Sequence, residues 1–237
     1  MAVKSALVTG SSSGIGKAIT ALLLQNGIKV IGLARDHSKF TPQQSNYYPI
    51  SVDLSDITNL EKRIRSILKT HPEINIFISN AGYGDFRHLE NFSTPQIQEF
   101  LNLNLISQII LCRNFTSHFK RDGSGDIIIL GSEAALSGKK KSTLYSAAKF
   151  GLRGFSQALR DEVGASGIRV CLINPGLVRS PFFDNLDFEP GDFESNAIAP
   201  DDIAKIVFEL LNTRNGTIID EINLSPASNS INFKQKT

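Results

Sequence analysis

The chain contains no tryptophan, one methionine and two cysteines, Cys112 and Cys171. Two cysteines in apolar surroundings exclude a scaffold held together by disulfides, and we expect a reducing, cytoplasmic location. The four histidines, at positions 37, 71, 88 and 118, are far apart and lack the spacing of metal ligands. The sequence therefore predicts no metal site.

An excess of charge and long apolar runs are missing as well. Lysine and arginine total 25 against 23 for aspartate and glutamate, and this balance gives no electrostatic reason to bind nucleic acid. The longest apolar stretches, such as 21–24 and 127–130, are too short to span a bilayer. The first ten residues show no apolar segment followed by a cleavage site, so we expect no secretory signal. The partner predicted is a small molecule.

Short apolar runs alternate with segments of helical periodicity along the chain. Predicted strands cover 5–9, 28–34, 50–52, 74–79, 126–131, 168–173 and 217–222, and predicted helices cover 14–26, 57–69, 95–120, 144–165 and 200–212. This alternation predicts one α/β domain, doubly wound, with a parallel seven-stranded sheet between two layers of helices. The domain is expected over 1–227, followed by a mobile polar tail over 228–237.

The first predicted strand runs into a glycine-rich turn from which a helix starts. The turn has the pattern Gly-x-x-x-Gly-x-Gly over 10–16. Glycine allows a tight turn and a close approach of the backbone to a ligand, and a helix N-terminus offers unpaired N–H groups to a phosphate. A purely structural turn is the alternative. The residues expected to bind a phosphate-containing cofactor here are Gly10, Ser12, Ser13, Gly14, Ile15 and Gly16.

A tyrosine and a lysine lie one helical turn apart in the fourth predicted helix. Tyr145 and Lys149 therefore share a face, and the ammonium is expected to lower the pKa of the phenol from about 10. Such a tyrosine can exchange a proton with a carbonyl or alcohol oxygen. Ser132 ends a predicted strand, at the edge where α/β sheets bind ligands, and can hold the same oxygen. A surface Tyr–Lys pair is the alternative.

Together, these motifs resemble the short-chain dehydrogenase/reductase family over residues 6–226. The motifs are, in order, the glycine turn, Asp53, Asn80-Ala81-Gly82, Asn104, Ser132, Tyr145-Ser146-Ala147-Ala148-Lys149 and Pro175-Gly176. The resemblance implies a Rossmann-type fold and a nicotinamide-dependent oxidoreductase acting on a carbonyl or secondary alcohol. It also implies that Asn104, Ser132, Tyr145 and Lys149 are catalytic, with Asn104 holding a water that relays protons. One departure is Gly131, where the family often has a serine.

The same resemblance implies further contacts with the cofactor. Asp53, with Leu54, is expected near the adenine, although Asp53 could equally cap its own loop. Asn80, Ala81 and Gly82 are expected beside the adenine ribose. The turn after the sixth strand is expected to reach the nicotinamide through Pro175, Gly176, the Val178 backbone and the Ser180 hydroxyl.

In the family that the chain resembles, the residue that ends the second strand bears on the choice of cofactor. A carboxylate there would select NAD, whereas this chain has Ala34 followed by Arg35. Ala34 avoids repulsion of a 2′-phosphate and Arg35 can pair with it, so NADP(H) is predicted over NAD. Two features leave NAD open: Asp36 could turn towards the ribose, and Ser13 stands where some NADP-using members have a basic residue.

The substrate side is less informative. Residues 181–199, rich in phenylalanine and acidic residues, are expected to form a lid over the substrate, with packing on the core as the alternative. The lysines at 139–141 are expected to be solvated. A 3-oxoacyl-carrier-protein reductase and a non-enzymatic cofactor sensor remain alternative functions. The resemblance implies a homodimer or homotetramer that pairs through the helices of Asn104 and Tyr145.

Overall fold

The computed structural model describes residues 4–234. Its strands are β1 (Ser5–Thr9), β2 (Lys29–Ala34), β3 (Tyr47–Ser51), β4 (Ile76–Ser79), β5 (Gly125–Leu130), β6 (Ile168–Pro175), β7 (Phe188–Pro190), β8 (Glu221–Leu224) and β9 (Ile231–Phe233). Seven of them form one sheet in the order β3-β2-β1-β4-β5-β6-β8, and all its neighbouring strands are parallel. The predicted doubly wound α/β fold is confirmed.

Helices cover both faces of this sheet. They are α1 (Gly14–Gln25), α2 (Ile57–Thr70), α3 (Thr94–Leu101), α4 (Ser107–Asp122), α5 (Thr143–Val163) and α6 (Pro200–Asn212). Single 3-10 turns lie at Leu89–Asn91, Glu133–Ala135, Gly164–Ser166, Pro181–Phe183 and Glu194–Asn196. Helices α2, α4 and α5 pack on one face, and α1 and α6 pack on the other. Within 4–234, no helix has the length and apolar character needed to cross a membrane.

Strand alternation explains why the sheet sequences are almost wholly apolar. Along β1, Leu7 packs with the α2, α4 and α5 layer, whereas Ala6 and Val8 pack with α1 and α6. Each of these side chains is fully buried. A strand with apolar layers on both sides needs apolar residues at every position, which is why these strands read as continuous runs.

The sheet edges differ from the sequence prediction. The last strand was expected at 217–222 but is β8, Glu221–Leu224, because a turn in which the Thr217 N–H bonds to the Arg214 carbonyl precedes it. The third strand was expected at 50–52 but is β3, Tyr47–Ser51. Edge strands are half exposed, so their polar residues and Pro49 weaken the apolar pattern that identifies central strands.

The helix predicted over 95–120 contains an irregular turn. A π-helical turn at Asn102–Ile106 joins α3 directly to α4. A π turn inserts one extra residue into the helix, and such turns are frequent at functional sites. Asn104 lies in the middle of this turn.

Part of the segment expected to be a mobile tail forms a strand in the structure. Strand β9 pairs antiparallel with β7, in the region expected to be the lid. The Lys234 ammonium adds hydrogen bonds of 2.6 Å to the Phe183 carbonyl and 3.2 Å to the Asp184 carbonyl. The apolar side chains of β9, Ile231 and Phe233, are exposed, so the strand is held by its backbone hydrogen bonds rather than by burial. The remaining predicted tail, 235–237, lies outside the described residues.

Candidate active site

The strand order reverses between β1 and β4, and the ends of these two strands are tied together. The Thr9 hydroxyl accepts the backbone N–H groups of Asn80 and Ala81 at 2.9 and 3.0 Å. The Asn80 side chain donates to the Thr9 carbonyl at 2.9 Å. Doubly wound sheets bind ligands in the crevice at this switch point. The role of Thr9 was missed from the sequence because its partners are about 70 positions away.

Two glycines of the first turn lie so close to neighbouring atoms that a side chain would not fit. Gly10 has a left-handed φ of 66°. A Cβ atom on Gly16 would lie 2.2 Å from the Gly10 carbonyl oxygen, and one on Gly10 would lie 2.8 Å from the Asn80 amide nitrogen. The turn therefore packs closely against the start of α1 and against the segment after β4.

The N-terminus of α1 is suited to a phosphate group. Ser13 precedes the helix with an extended φ of −149°, and its side chain makes no capping hydrogen bond. The first turn of α1 contains no acidic residue. Its N–H groups thus have neither a side-chain cap nor a negative charge nearby, and phosphates bind at such helix ends. Around the turn, Ser13 is exposed, while Ser12, Gly14 and Ile15 are half-buried.

Residues expected at the adenine end also lie along this edge. Arg35 is exposed, and its charge contributes to lowering the pKa of Asp53. The Asp36 carboxylate accepts the backbone N–H and the hydroxyl of Ser38, each at 2.8 Å, so it is directed towards its own loop.

The Asp53 carboxylate takes part in a turn of its own. Hydrogen bonds from the hydroxyl and backbone N–H of Ser55, at 2.7 and 2.9 Å, fall on Oδ1 and hold the pKa of Asp53 below its usual range. The loop-capping interpretation is thus part of the structure, and Oδ2 is not used by this turn. Leu54 is buried in the core beneath α2, so only its backbone is available to a ligand.

Asn104 is buried in the π turn, and its side chain makes two hydrogen bonds. Its amide donates to the Phe100 carbonyl at 3.1 Å, and its oxygen accepts the Tyr83 backbone N–H at 3.2 Å. A Cβ on Gly82 would lie 2.7 Å from that oxygen, so the glycine of the Asn-Ala-Gly motif makes room for Asn104. Asn104 thereby links the segment after β4 to the helix.

Ser132, Tyr145 and Lys149 come together at the same edge. The Ser132 hydroxyl lies close enough to the Tyr145 phenol to affect its pKa, and it accepts the Ala134 N–H at 3.2 Å. The Lys149 ammonium lies 5.7 Å from the centre of the Tyr145 ring and donates to the Leu130 carbonyl at 3.0 Å. All three residues are buried.

Burial, rather than the lysine, dominates the electrostatics of this group. Burial raises the pKa of Tyr145 to about 12; the Ser132 hydrogen bond opposes this rise and the charge of Glu133 adds to it. Burial also lowers the pKa of Lys149 to about 8. The expectation that Lys149 brings the phenol pKa below 10 is therefore wrong for this structure, because desolvation of the phenolate is the largest cause of the shift. At neutral pH the phenol keeps its proton.

The turn after β6 closes the crevice from the other side. The Gly176 N–H donates to the Leu224 carbonyl at 2.7 Å, and Val178 pairs with Ile198. The position of a Cβ on Gly14 lies 3.4 Å from the Ser180 Cβ, which places Ser180 against the glycine turn. The segment from Pro175 to Ser180 and the N-terminus of α1 therefore face the same space.

Aromatic side chains surround the phenol. The Tyr145 ring centre lies 5.1 Å from that of Phe86 and 6.1 Å from that of Phe182, and Phe86 also contacts Phe188 at 5.3 Å. Phe182 and Phe188 come from the expected lid, whereas Phe86 follows β4 and was missed from the sequence. Phe193, which is also in the expected lid, is 78% exposed. Part of the segment 181–199 thus packs beside Tyr145. This position agrees both with a lid over the substrate and with simple packing on the core.

The described fold and crevice define a dinucleotide-binding α/β protein with a Ser–Tyr–Lys group beside its glycine turn. The chain belongs to the short chain dehydrogenase family, whose model matches residues 4–190. A 3-oxoacyl-(acyl-carrier-protein) reductase of Buchnera aphidicola subsp. Acyrthosiphon pisum is 33% identical over 188 residues, which are 78% of this chain and 77% of that protein.

Two solved structures share the fold over almost the whole chain. An alcohol dehydrogenase of the archaeon Thermococcus sibiricus, complexed with 5-hydroxy-NADP, superposes with a TM-score of 0.82 and 25% identity over 93% of this chain and 95% of that one. A metagenomic short-chain oxidoreductase in complex with NADP superposes with a TM-score of 0.80. It is 26% identical to this chain, and the match covers 95% of this chain and 97% of that one.

Proposed function

We propose that the protein is an oxidoreductase that transfers a hydride between NADP(H) and a carbonyl or secondary alcohol, with Tyr145 as the general acid/base. The observation that carries the proposal is the buried group of Ser132, Tyr145 and Lys149, in which the Lys149 ammonium lies 5.7 Å from the centre of the Tyr145 ring. The nicotinamide would supply the hydride, and the protein would supply orientation and proton transfer.

The residues of this chain divide the proton chemistry. In the reducing direction, the Ser132 hydroxyl would hold the carbonyl oxygen, and Tyr145 would give its proton to that oxygen. A phenol with a pKa of about 12 arrives at this step protonated. The Lys149 ammonium then stabilises the phenolate that remains. Asn104 is proposed to orient a water that returns a proton to this group.

Preference for NADP(H) rests on two residues and on the relatives. Ala34 offers no carboxylate to repel a 2′-phosphate, and Arg35 lies at the edge of the crevice with Asp53. The Asp36 carboxylate is held in its own loop by two hydrogen bonds from Ser38. The two structures with at least 25% identity that hold NADP or its derivative support the same choice.

Replacement of the phenol hydroxyl tests the proposal. Tyr145→Phe keeps the ring among its aromatic neighbours but removes the proton, so kcat on a verified carbonyl substrate should fall at least about a hundredfold. The NADPH dissociation constant, measured by fluorescence, should change little. Tyr48→Phe, at the exposed sheet edge, is the matched control and should retain full activity. Turnover by Tyr145→Phe close to that of the wild type would refute the proton-transfer role.

A narrower function is favoured by the Buchnera relative, which is named as a 3-oxoacyl-(acyl-carrier-protein) reductase. A screen that follows NADPH absorbance should therefore include a 3-oxoacyl thioester beside simple ketones and aldehydes. Turnover confined to the thioester would assign this narrower function. NADPH binding with no turnover of any carbonyl or alcohol would instead favour the non-enzymatic sensor.

A further inference from the structure

A fully buried asparagine lies directly behind Ser132. Asn174 is the next-to-last residue of β6, and its side-chain oxygen accepts the Ser132 backbone N–H at 3.2 Å. Its amide nitrogen donates to the Glu221 carboxylate at 3.0 Å and to the Asn223 side-chain oxygen at 2.9 Å. Every hydrogen of this buried amide is used.

The partners of Asn174 determine which way its amide points. A carboxylate only accepts hydrogen bonds, so the NH₂ group must face Glu221 and the oxygen must face Ser132. Glu221 is itself held by the Arg153 guanidinium, whose Nε lies 3.0 Å from the other carboxylate oxygen. Arg153 stands one helical turn after Lys149 in α5. Helix α5 is therefore connected to Ser132 through Arg153, Glu221 and Asn174.

The position before Ser132 has to be a glycine for this contact to exist. A Cβ on Gly131 would lie 2.1 Å from the Asn174 side-chain oxygen, far inside van der Waals contact. This chain has Gly131 where the family often has a serine, and the Asn174 side chain occupies the space that a serine side chain would need.

Three hydrogen bonds fix the short segment that carries Ser132. The Leu130 carbonyl accepts from the Lys149 ammonium at 3.0 Å, and the Gly131 N–H donates to the Ile173 carbonyl at 2.7 Å. The Ser132 N–H donates to Asn174. The bond from Lys149 connects this segment directly to α5. The bond to Asn174 connects it to α5 through Glu221 and Arg153, so both bonds relate Ser132 to the helix of Tyr145.

We propose that Asn174 is a positioning residue, which holds the Ser132 hydroxyl in register with the Tyr145 phenol, and that Gly131 provides the space it needs. The inference rests on the proposed oxidoreductase function. Without Asn174, the Ser132 N–H loses its acceptor and the hydroxyl is no longer fixed relative to the phenol. The proton-transfer step should suffer, whereas the cofactor site across the crevice should not.

A double-mutant cycle between positions 131 and 174 tests the coupling. Asn174→Ala removes one hydrogen bond to Ser132 and should lower kcat on the order of tenfold, with an unchanged NADPH dissociation constant. Gly131→Ala alone should also lower kcat, because its methyl group displaces the Asn174 oxygen. The double variant should be more active than Gly131→Ala alone, since the clash is gone. Asn114→Ala, at a buried asparagine of α4 that bonds the Ile110 carbonyl, is the matched control and should keep its kcat.

Hydrogen exchange provides a readout that needs no activity. The Ser132 amide should exchange faster in Asn174→Ala, while the Gly131 amide, bonded to Ile173, should stay protected. Wild-type kcat in Asn174→Ala, or additive effects in the double variant, would overturn the positioning role even if the oxidoreductase function holds. A wild type that turns over no substrate would overturn the proposed function, and the positioning role with it.

Discussion

At the scale of single residues, cofactor choice depends on what meets a phosphate next to β2. Arg35 is exposed at the crevice edge and Ala34 carries no charge. The Asp36 carboxylate, which could otherwise serve NAD, is occupied by two hydrogen bonds from Ser38. A 2′-phosphate would thus meet one cation and no carboxylate free to oppose it.

The prediction for Arg35 is quantitative. A charge-assisted hydrogen bond contributes about 1.5–3 kcal/mol, so the wild type should prefer NADPH over NADH by roughly ten- to a hundredfold in kcat/KM. Arg35→Ala should erase most of the preference by weakening NADPH, and Ala34→Asp should go further by adding repulsion. Arg63→Ala, an exposed arginine of α2, is the control. An unchanged ratio in Arg35→Ala would mean that Arg35 does not contact the phosphate.

The sequence predicts residues whose role follows from local pattern, and it misses those defined by distant contacts. Tyr145 and Lys149 share a helix face, so their proximity could be predicted. Thr9 and Asn174 act through partners tens of positions away, and neither stands out locally. The phenol pKa was predicted in the wrong direction because burial, which dominates it, is a property of the packed site.

At the scale of elements, the lid depends on the end of the chain. The β7–β9 pairing is extended by a bond from the Gly191 N–H to the Ser230 carbonyl, and Lys234 joins the carbonyls of Phe183 and Asp184. Phe188 of β7 packs on Phe86, which contacts Tyr145. Strand β9 and Lys234 therefore help to hold Phe188 against Phe86, beside the Tyr145 phenol.

Removal of the Lys234 contacts should loosen the lid. Lys234→Met loses the hydrogen bonds to the two carbonyls, so amides over 183–192 should exchange faster while the central sheet is unchanged. KM for substrate should rise more than kcat falls, because the lid orients substrate rather than transferring protons. Lys205→Met, on the exposed face of α6, is the control. Addition of cofactor and substrate should slow the exchange of these amides again, and equal exchange with and without ligands would remove the lid from the mechanism.

Central elements could be predicted closely, whereas edge elements could not. β1 and α6 have the predicted bounds because both bury a regular apolar pattern. β3, β8 and β9 lie at sheet edges or outside the main sheet, where backbone pairing decides the structure. The π turn also has no signal in the periodicity, because one extra residue shifts the pattern by less than a turn.

At the scale of the whole molecule, two partly exposed apolar side chains lie close to each other on neighbouring elements. Phe150 of α5 is 44% exposed and Ile106 of the π turn is 36% exposed. The two lie on adjacent elements, since the Cβ position of Gly151 is 3.2 Å from the Leu105 side chain. These are the helices through which the family resemblance implies self-association, and an apolar face on them suits a second copy of the chain.

The expected homodimer or homotetramer can be tested by introducing charge on that face. Light scattering should give at least twice the mass of one chain for the wild type, and Phe150→Glu should shift it towards the monomer, because a carboxylate would be buried unpaired in the interface. Phe193→Glu, at a more exposed phenylalanine of the lid, adds the same charge elsewhere and should leave the mass unchanged. Since α5 also carries Tyr145 and Lys149, the monomeric variant should lose kcat as well as mass. A wild type that is monomeric at micromolar concentration, or a Phe150→Glu variant of unchanged mass, would show that α5 is not the interface.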